Sequence, residues 1–190
     1  LKTENARPST WVYVDVRGRD LKSVVQDMQA AVNAQVKLPP GYSLSWSGQF
    51  EYLERATANI SAILTDLADN PDRYAPPLDS GANVALIRQL AFQGVELYGA
   101  VGRHIVSDLA GEDLGSIQVL QSDPNDVVPV EFVYDLPTPT TTAALCPAWR
   151  NALATGTCDP ANHPDDGTGL ATVVCPSGFW CLSKVIERQV

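Results

Sequence analysis

Along the first fifty residues the apolar positions change period twice. Trp11-Val12-Tyr13-Val14-Asp15-Val16 is aromatic and β-branched with a period of two, which predicts a strand. Asp20 is placed to cap a following helix, its carboxylate accepting the orphan N–H groups of the first turn. Leu21, Val24, Val25, Met28, Ala31, Val32 and Val36 then recur at helical spacing and give one apolar face. Leu38-Pro39-Pro40-Gly41 ends that helix, because proline removes a donor and restricts the residue before it. Tyr42 to Ser47 alternates again, with Tyr42, Leu44 and Trp46 on one side. The pattern predicts an N-terminal βαβ unit of about forty residues.

A second helix is expected from Phe50, with Leu53, Ile60, Ile63, Leu64 and Leu67 on its apolar face, ending at Asn70-Pro71. The stretch to Ser80 is rich in Pro and Asp and reads as a loop. Asp79 or Ser80 then caps a long third helix whose stripe holds Leu86, Ile87, Leu90, Ala91, Val95, Leu97, Tyr98 and Val101. Ile117-Gln118-Val119-Leu120 reads as a buried strand, and Val130 to Tyr134 as a strand or a short helical turn. Pro137 to Thr142 (PTPTTT) is expected to be a flexible, extended linker. Phe179 to Ile186 is apolar enough to return to the core. The expected class is α/β, with long helices packed on short strands and a Cys/Pro-rich loop region over 136–178.

Charge adds a division to this picture. The 190 residues carry a net charge of −9. Residues 1–56 hold seven Lys/Arg against six Asp/Glu, and the rest hold six against sixteen, so the acidity is confined to the second part. A chain this acidic without a basic patch is a poor partner for a nucleic-acid backbone. No run approaches the roughly 18–20 apolar residues of a membrane-spanning helix, so no membrane insertion or transport by this chain alone is expected. Leu1-Lys2-Thr3-Glu4-Asn5 has neither an initiator Met nor an apolar signal core and reads as the start of an excerpt.

Two resemblances follow from particular motifs. LKTENAR at Leu1–Arg7, RGRD at Arg17–Asp20, LPPGY at Leu38–Tyr42 and WSGQFEYLERA at Trp46–Ala56 resemble heavy-metal efflux pumps of the resistance-nodulation-division class, the CusA/CzcA type. That resemblance implies a periplasmic porter segment over residues 1–56 that would run on into a membrane helix. The pattern stops after Ala56, where Asp66, Asp69 and Asp72 follow instead. Residues 57–190 resemble the region before the catalytic core of bacterial CHAT-domain, caspase-like proteins. The carriers are DLADNPDRYAPPLD at Asp66–Asp79, Glu96-Leu97-Tyr98, VPVEFVYD at Val128–Asp135, LCP at Leu145–Pro147, and CPSGFW with KVIER at Cys175–Arg188. The joint reading is a composite with its seam at Ala56–Thr57 inside one helix, since Leu53 and Ile60 stay in phase two turns apart.

Candidate chemistry is sparse. A caspase-like enzyme needs a Cys thiolate with a nearby His, and the resemblance implies a His-Gly element that neither His104 nor His163 provides. His104 is better read as a cation at a helix C-terminus, and His163 as a solvated residue in an acidic loop with Asp159, Asp165 and Asp166. Met28 sits on the apolar helix face and reads as packing, not as a metal ligand. Cys146, Cys158, Cys175 and Cys181 are spaced C-x11-C-x16-C-x5-C, without the close pairs of a typical zinc motif. Zinc or another thiolate-bound metal, one or two disulfides, and free buried thiols all remain open for them. The sequence favours a non-catalytic structural or interaction module, partnered by another protein or by the remainder of the same polypeptide. A fragment of an efflux pump and a small Cys-based metal module are the alternatives. The cytoplasm is favoured, or the periplasm if the porter resemblance governs.

Overall fold

The computed structural model describes residues 2–4, 7–19, 21–102, 115–120 and 127–189. The chain divides into two units, Leu1–Trp46 and Ser47–Val190. The mixed α/β class is observed. Asp20 and His104, both expected in capping roles, lie outside the described residues.

In the first unit β1 (Lys2–Glu4) pairs antiparallel with β2 (Arg7–Ser9), and α1 (Leu21–Gln35) follows. The helix forms where the 3.6-residue stripe predicts it, although only Val25 of that stripe is buried. The two flanking strands of the expected βαβ unit are absent: neither Trp11–Val16 nor Tyr42–Ser47 takes part in a ladder. A strand is completed by a neighbour's N–H and C=O groups, and no described segment of this unit supplies one. Their apolar side chains consequently stay in solvent, with Val12 86% and Tyr13 82% exposed.

The second unit is built on two helices. α2 (Gln49–Asp69) runs unbroken through Ala56–Thr57, as the in-phase stripe predicts, and buries Phe50, Leu53, Ala56 and Ile60. A short turn of helix, α3 (Pro71–Tyr74), leads to α4 (Gly81–Leu97), whose N-cap is Ser80. α2 and α4 lie antiparallel, since Arg55 bonds Glu96 (2.6 Å) while Asn59 bonds Gln93 (3.0 Å). The Pro-rich connection is clasped by buried Asn83, whose Nδ2 donates to the carbonyls of Tyr74, Pro76 and Pro77. Beyond α4 the helix continues as a π-type turn, Tyr98–Gly102.

Short strands close the unit. β3 (Ser116–Leu120) pairs in parallel with β6 (Val185–Gln189), and Ile117 is buried as expected. Val130–Phe132 forms a 3-10 turn, the second of the two predicted forms, and Tyr134 makes an isolated bridge to Phe179. β4 (Pro139–Leu145) pairs in parallel with β5 (Ala171–Val174). This corrects the expectation of a flexible linker over Pro137–Thr142. Pro139 opens the strand, where its missing donor costs little, and Thr140, Thr141 and Thr142 are β-branched residues that suit a pleat. The expected Cys/Pro-rich loop is thus largely ordered: it also holds α5 (Trp149–Thr155) and 3-10 turns at Pro160–Asn162 and Pro176–Gly178. α6 (Trp180–Ser183) then returns the chain to the core through fully buried Trp180.

Candidate metal centre

The β4/β5 pairing brings two cysteines side by side. Leu145 is in register with Val174, and the Cys146 N–H extends the ladder by donating to the Val174 carbonyl at 2.9 Å. Cys146 and Cys175 therefore leave adjacent ends of parallel strands, and both are fully buried. Tyr134 fixes the second: the Cys175 N–H donates to the Tyr134 hydroxyl oxygen at 3.1 Å.

The remaining ligand-type residues arrive on the connection between the strands. The Trp149 N–H bonds the Cys146 carbonyl at 3.0 Å and starts α5. Gly156 ends that helix in the left-handed conformation (φ 70°), which glycine adopts without strain. A Cβ there would also collide with the Leu182 carbonyl. This turn sends the chain to Cys158. Asp159 then accepts from the Ala161 N–H at 2.8 Å, capping the 3-10 turn that delivers Asn162 and His163.

The result is a cluster of three thiols and one imidazole. Ligand-type atoms of Cys146, Cys158, His163 and Cys175 all lie within 4.8 Å of one another. The Cys146 and Cys158 sulfurs are 3.8 Å apart, too far for a disulfide bond of about 2.05 Å. All four cysteines are free. Two polar groups address the sulfurs: Asn162 Nδ2 donates to Cys158 Sγ at 3.9 Å, and Ser177 Oγ lies 3.2 Å from Cys175 Sγ. The Cys146 thiol bonds the Asn162 carbonyl at 3.9 Å.

Electrostatics in the cluster are set by desolvation. Burial pushes the Cys146 thiol up to about 12 and raises Cys158 as well. Burial also lowers His163 and so favours its neutral imidazole, with the Asp159 charge opposing. His163 Nε2 is buried without a hydrogen-bond partner. The expectation that His163 is merely solvated is therefore corrected. Asp165 and Asp166 accept N–H groups of their own loop, from Gly167 at 2.7 Å and Thr168 at 2.8 Å, while the imidazole turns inward. The short spacing Cys158-x4-His163, typical of loop ligands, is the sequence signal that marks it.

Cys181, the fourth sequence candidate, is not brought into this set. It follows Trp180 on α6, and with Trp180 directed into the core the neighbouring side chain points outward and is exposed.

Comparison with known proteins bears on the other end of the chain. Residues 1–67 match the AcrB/AcrD/AcrF family. The match continues eleven residues past Ala56, through the middle of α2. Over 64 residues the chain is 55% identical to the cation efflux system protein SilA of Salmonella typhimurium. It is 53% identical to the cation efflux system protein CusA of Escherichia coli and 38% identical to the cobalt-zinc-cadmium resistance protein CzcA of Cupriavidus metallidurans. Each alignment covers 34% of this chain and 6% of the relative. No solved structure matches the chain. The comparisons bring no support for the caspase-like resemblance of residues 57–190. No helix among the described residues is long and apolar enough to cross a membrane.

Proposed function

We propose that residues 1–67 are a segment of a heavy-metal efflux pump, contributing to cation export only within a longer polypeptide or assembly, and that the chain itself is non-catalytic. The observation that carries this reading is the 55% identity to SilA over 64 residues. Identity at that level along a continuous segment preserves backbone course as well as composition. The apolar side chains left exposed at Val12, Tyr13, Tyr42 and Leu44 agree with it, because they are faces that further strands of a larger sheet would cover. The caspase-like accessory reading of 57–190 rests on its short motifs alone, and its first eleven residues fall within the efflux match.

The test is a chimera. The matching 64 residues of Escherichia coli CusA are replaced by those of this chain, and tolerance of the cations that the unaltered pump exports is measured. Retained tolerance is the expected result. Loss of tolerance to the level of cells without the pump, with the chimera present in the membrane at normal abundance, would sink the reading.

A second reading concerns Ser47–Val190 alone. The convergence of three thiols and an imidazole favours a small Cys-based metal-binding module in that unit.

A further inference from the structure

We infer that Cys146, Cys158, His163 and Cys175 form a closed four-ligand zinc site that holds the 136–178 region together and is not a site for transported ions. The inference rests on the metal-module reading of Ser47–Val190 and adds the ion, the ligand set and the role.

The donor set selects the ion. Three thiolates and an imidazole suit the borderline-soft Zn2+ and are poor hosts for Mg2+ or Ca2+, which take oxygen ligands. The geometry agrees. Bonds of roughly 2.3 Å to a tetrahedral ion set its sulfurs about 3.8 Å apart, and Cys146 and Cys158 already stand at 3.8 Å. The partnerless, buried His163 Nε2 is a second and independent sign, since a buried imidazole nitrogen without a donor or acceptor is normally satisfied by something.

The role follows from closure and from what else is there to hold the region. Four protein ligands complete the coordination of zinc, leaving no open position for water, substrate or an exchanging ligand. The core beneath the site is correspondingly thin. Its fully buried members are Cys146, Ala152 and Cys175, two of them ligands themselves, with Leu136, Ala148, Cys158 and Val173 partly buried against them. Ordering a connection costs roughly 1–2 kcal/mol per residue, and between the two strands, over 147–170, the buried residues are Ala152 and Gly156 alone, which cannot offset that. An ion tying β4, β5 and both turns between them can. Asn162 and Ser177 supply the hydrogen bonds that a zinc-bound thiolate accepts.

Binding is balanced as follows. Each of the three thiols gives its proton to solvent, each sulfur and one neutral imidazole nitrogen donates a lone pair to Zn2+, and the site passes from neutral to a net charge of −1. No oxidant or reductant takes part.

The test uses the full chain. Zinc is measured by elemental analysis of the purified protein, with Co2+ substitution as a spectroscopic probe of tetrahedral thiolate ligation. One zinc per chain is expected, with only Cys181 reacting readily with a thiol reagent until a chelator is added. Cys181→Ser should keep its zinc, while Cys158→Ser and His163→Ala should hold it at least about tenfold more weakly. Chelation should then expose 136–178 to limited proteolysis while α2 and α4 remain protected. Absence of both zinc and the Co2+ thiolate bands would overturn the metal reading itself. Zinc bound at one per chain, with proteolysis of 136–178 unchanged on its removal, would leave that reading standing and overturn the structural role. Zinc lost equally from Cys181→Ser would overturn the ligand set.

Discussion

Gly94 lies where α4 meets the 3-10 turn at Val130–Phe132, and the Tyr134 N–H donates to the Gly94 carbonyl at 3.1 Å. A Cβ at this position would collide with the Phe132 carbonyl and stand 2.7 Å from Tyr134 Cβ. In an open helix Gly→Ala gains up to about 1 kcal/mol from propensity, but overpacking against backbone costs roughly 1–3 kcal/mol. The steric term wins because one partner is a main-chain oxygen that cannot rotate away. Gly94→Ala should therefore lower the midpoint of urea unfolding at unchanged slope; a midpoint at or above the parent's would show that the turn yields. A second residue-scale effect is acidic. Arg188 bonds Glu131 through two nitrogens, at 2.7 and 2.6 Å, and these bonds hold the Glu131 carboxyl below its ordinary 4.5. A carboxylate depressed on folding adds stability that is fully present above its unfolded value and is lost as pH falls through the folded one. Between pH 6 and the acid range below 4.5, the parent should thus lose more stability than Glu131→Gln. Parallel curves of stability against pH would remove the pair from the account.

At the scale of elements, the link between α3 and α4 depends on one amide. Asn83 is the buried polar side chain of the described core, and its Nδ2 serves three carbonyls at 2.7–3.2 Å. Truncation to alanine removes the one donor that these three carbonyls share. Pro76 and Pro77 are exposed, so water can replace part of what is lost, and each bond is worth about 0.5–1.5 kcal/mol net. Asn83→Ala should lower thermal stability, and hydrogen exchange should quicken first in the opening turn of α4. Uniform exchange across the unit would mean that the clasp is not local. The parallel β4/β5 ladder is an element-scale product too, since strands that start 32 residues apart, at Pro139 and Ala171, meet only once the intervening turns have closed.

For the molecule as a whole, the question is whether a Cys–His cluster means catalysis. A nucleophilic cysteine needs a lowered pKa and access to substrate. Here burial pushes Cys146 the other way, to about 12, and both Cys146 and Cys175 are sealed from solvent. The full chain should show no peptidase turnover above background against a peptide pool, before or after mild thiol reduction. Turnover abolished by His163→Ala or by Cys146→Ser would reverse that conclusion.

What could be read from the residues was whatever depends on neighbours in sequence. The stripe through Leu53 and Ile60 makes α2 continuous, Ser80 starts α4, and the LKTENAR and WSGQFEYLERA motifs carry the efflux likeness that the comparisons extend to residue 67. Three of the four metal candidates were visible as cysteines. Partnership was not. Trp11–Val16 has strand periodicity and lacks a ladder, while Pro137–Thr142 looks like a linker and acquires one, because pairing belongs to two segments and a pattern to one. His163 and Cys181 changed places for the same reason. The register of β4 on β5 and the turn after Gly156 bring the imidazole within 4.8 Å of three sulfurs, and the packing of Trp180 turns Cys181 to solvent. Spacing along the chain fixes which local structure a residue joins; only the closed tertiary fold decides which side chains share a volume.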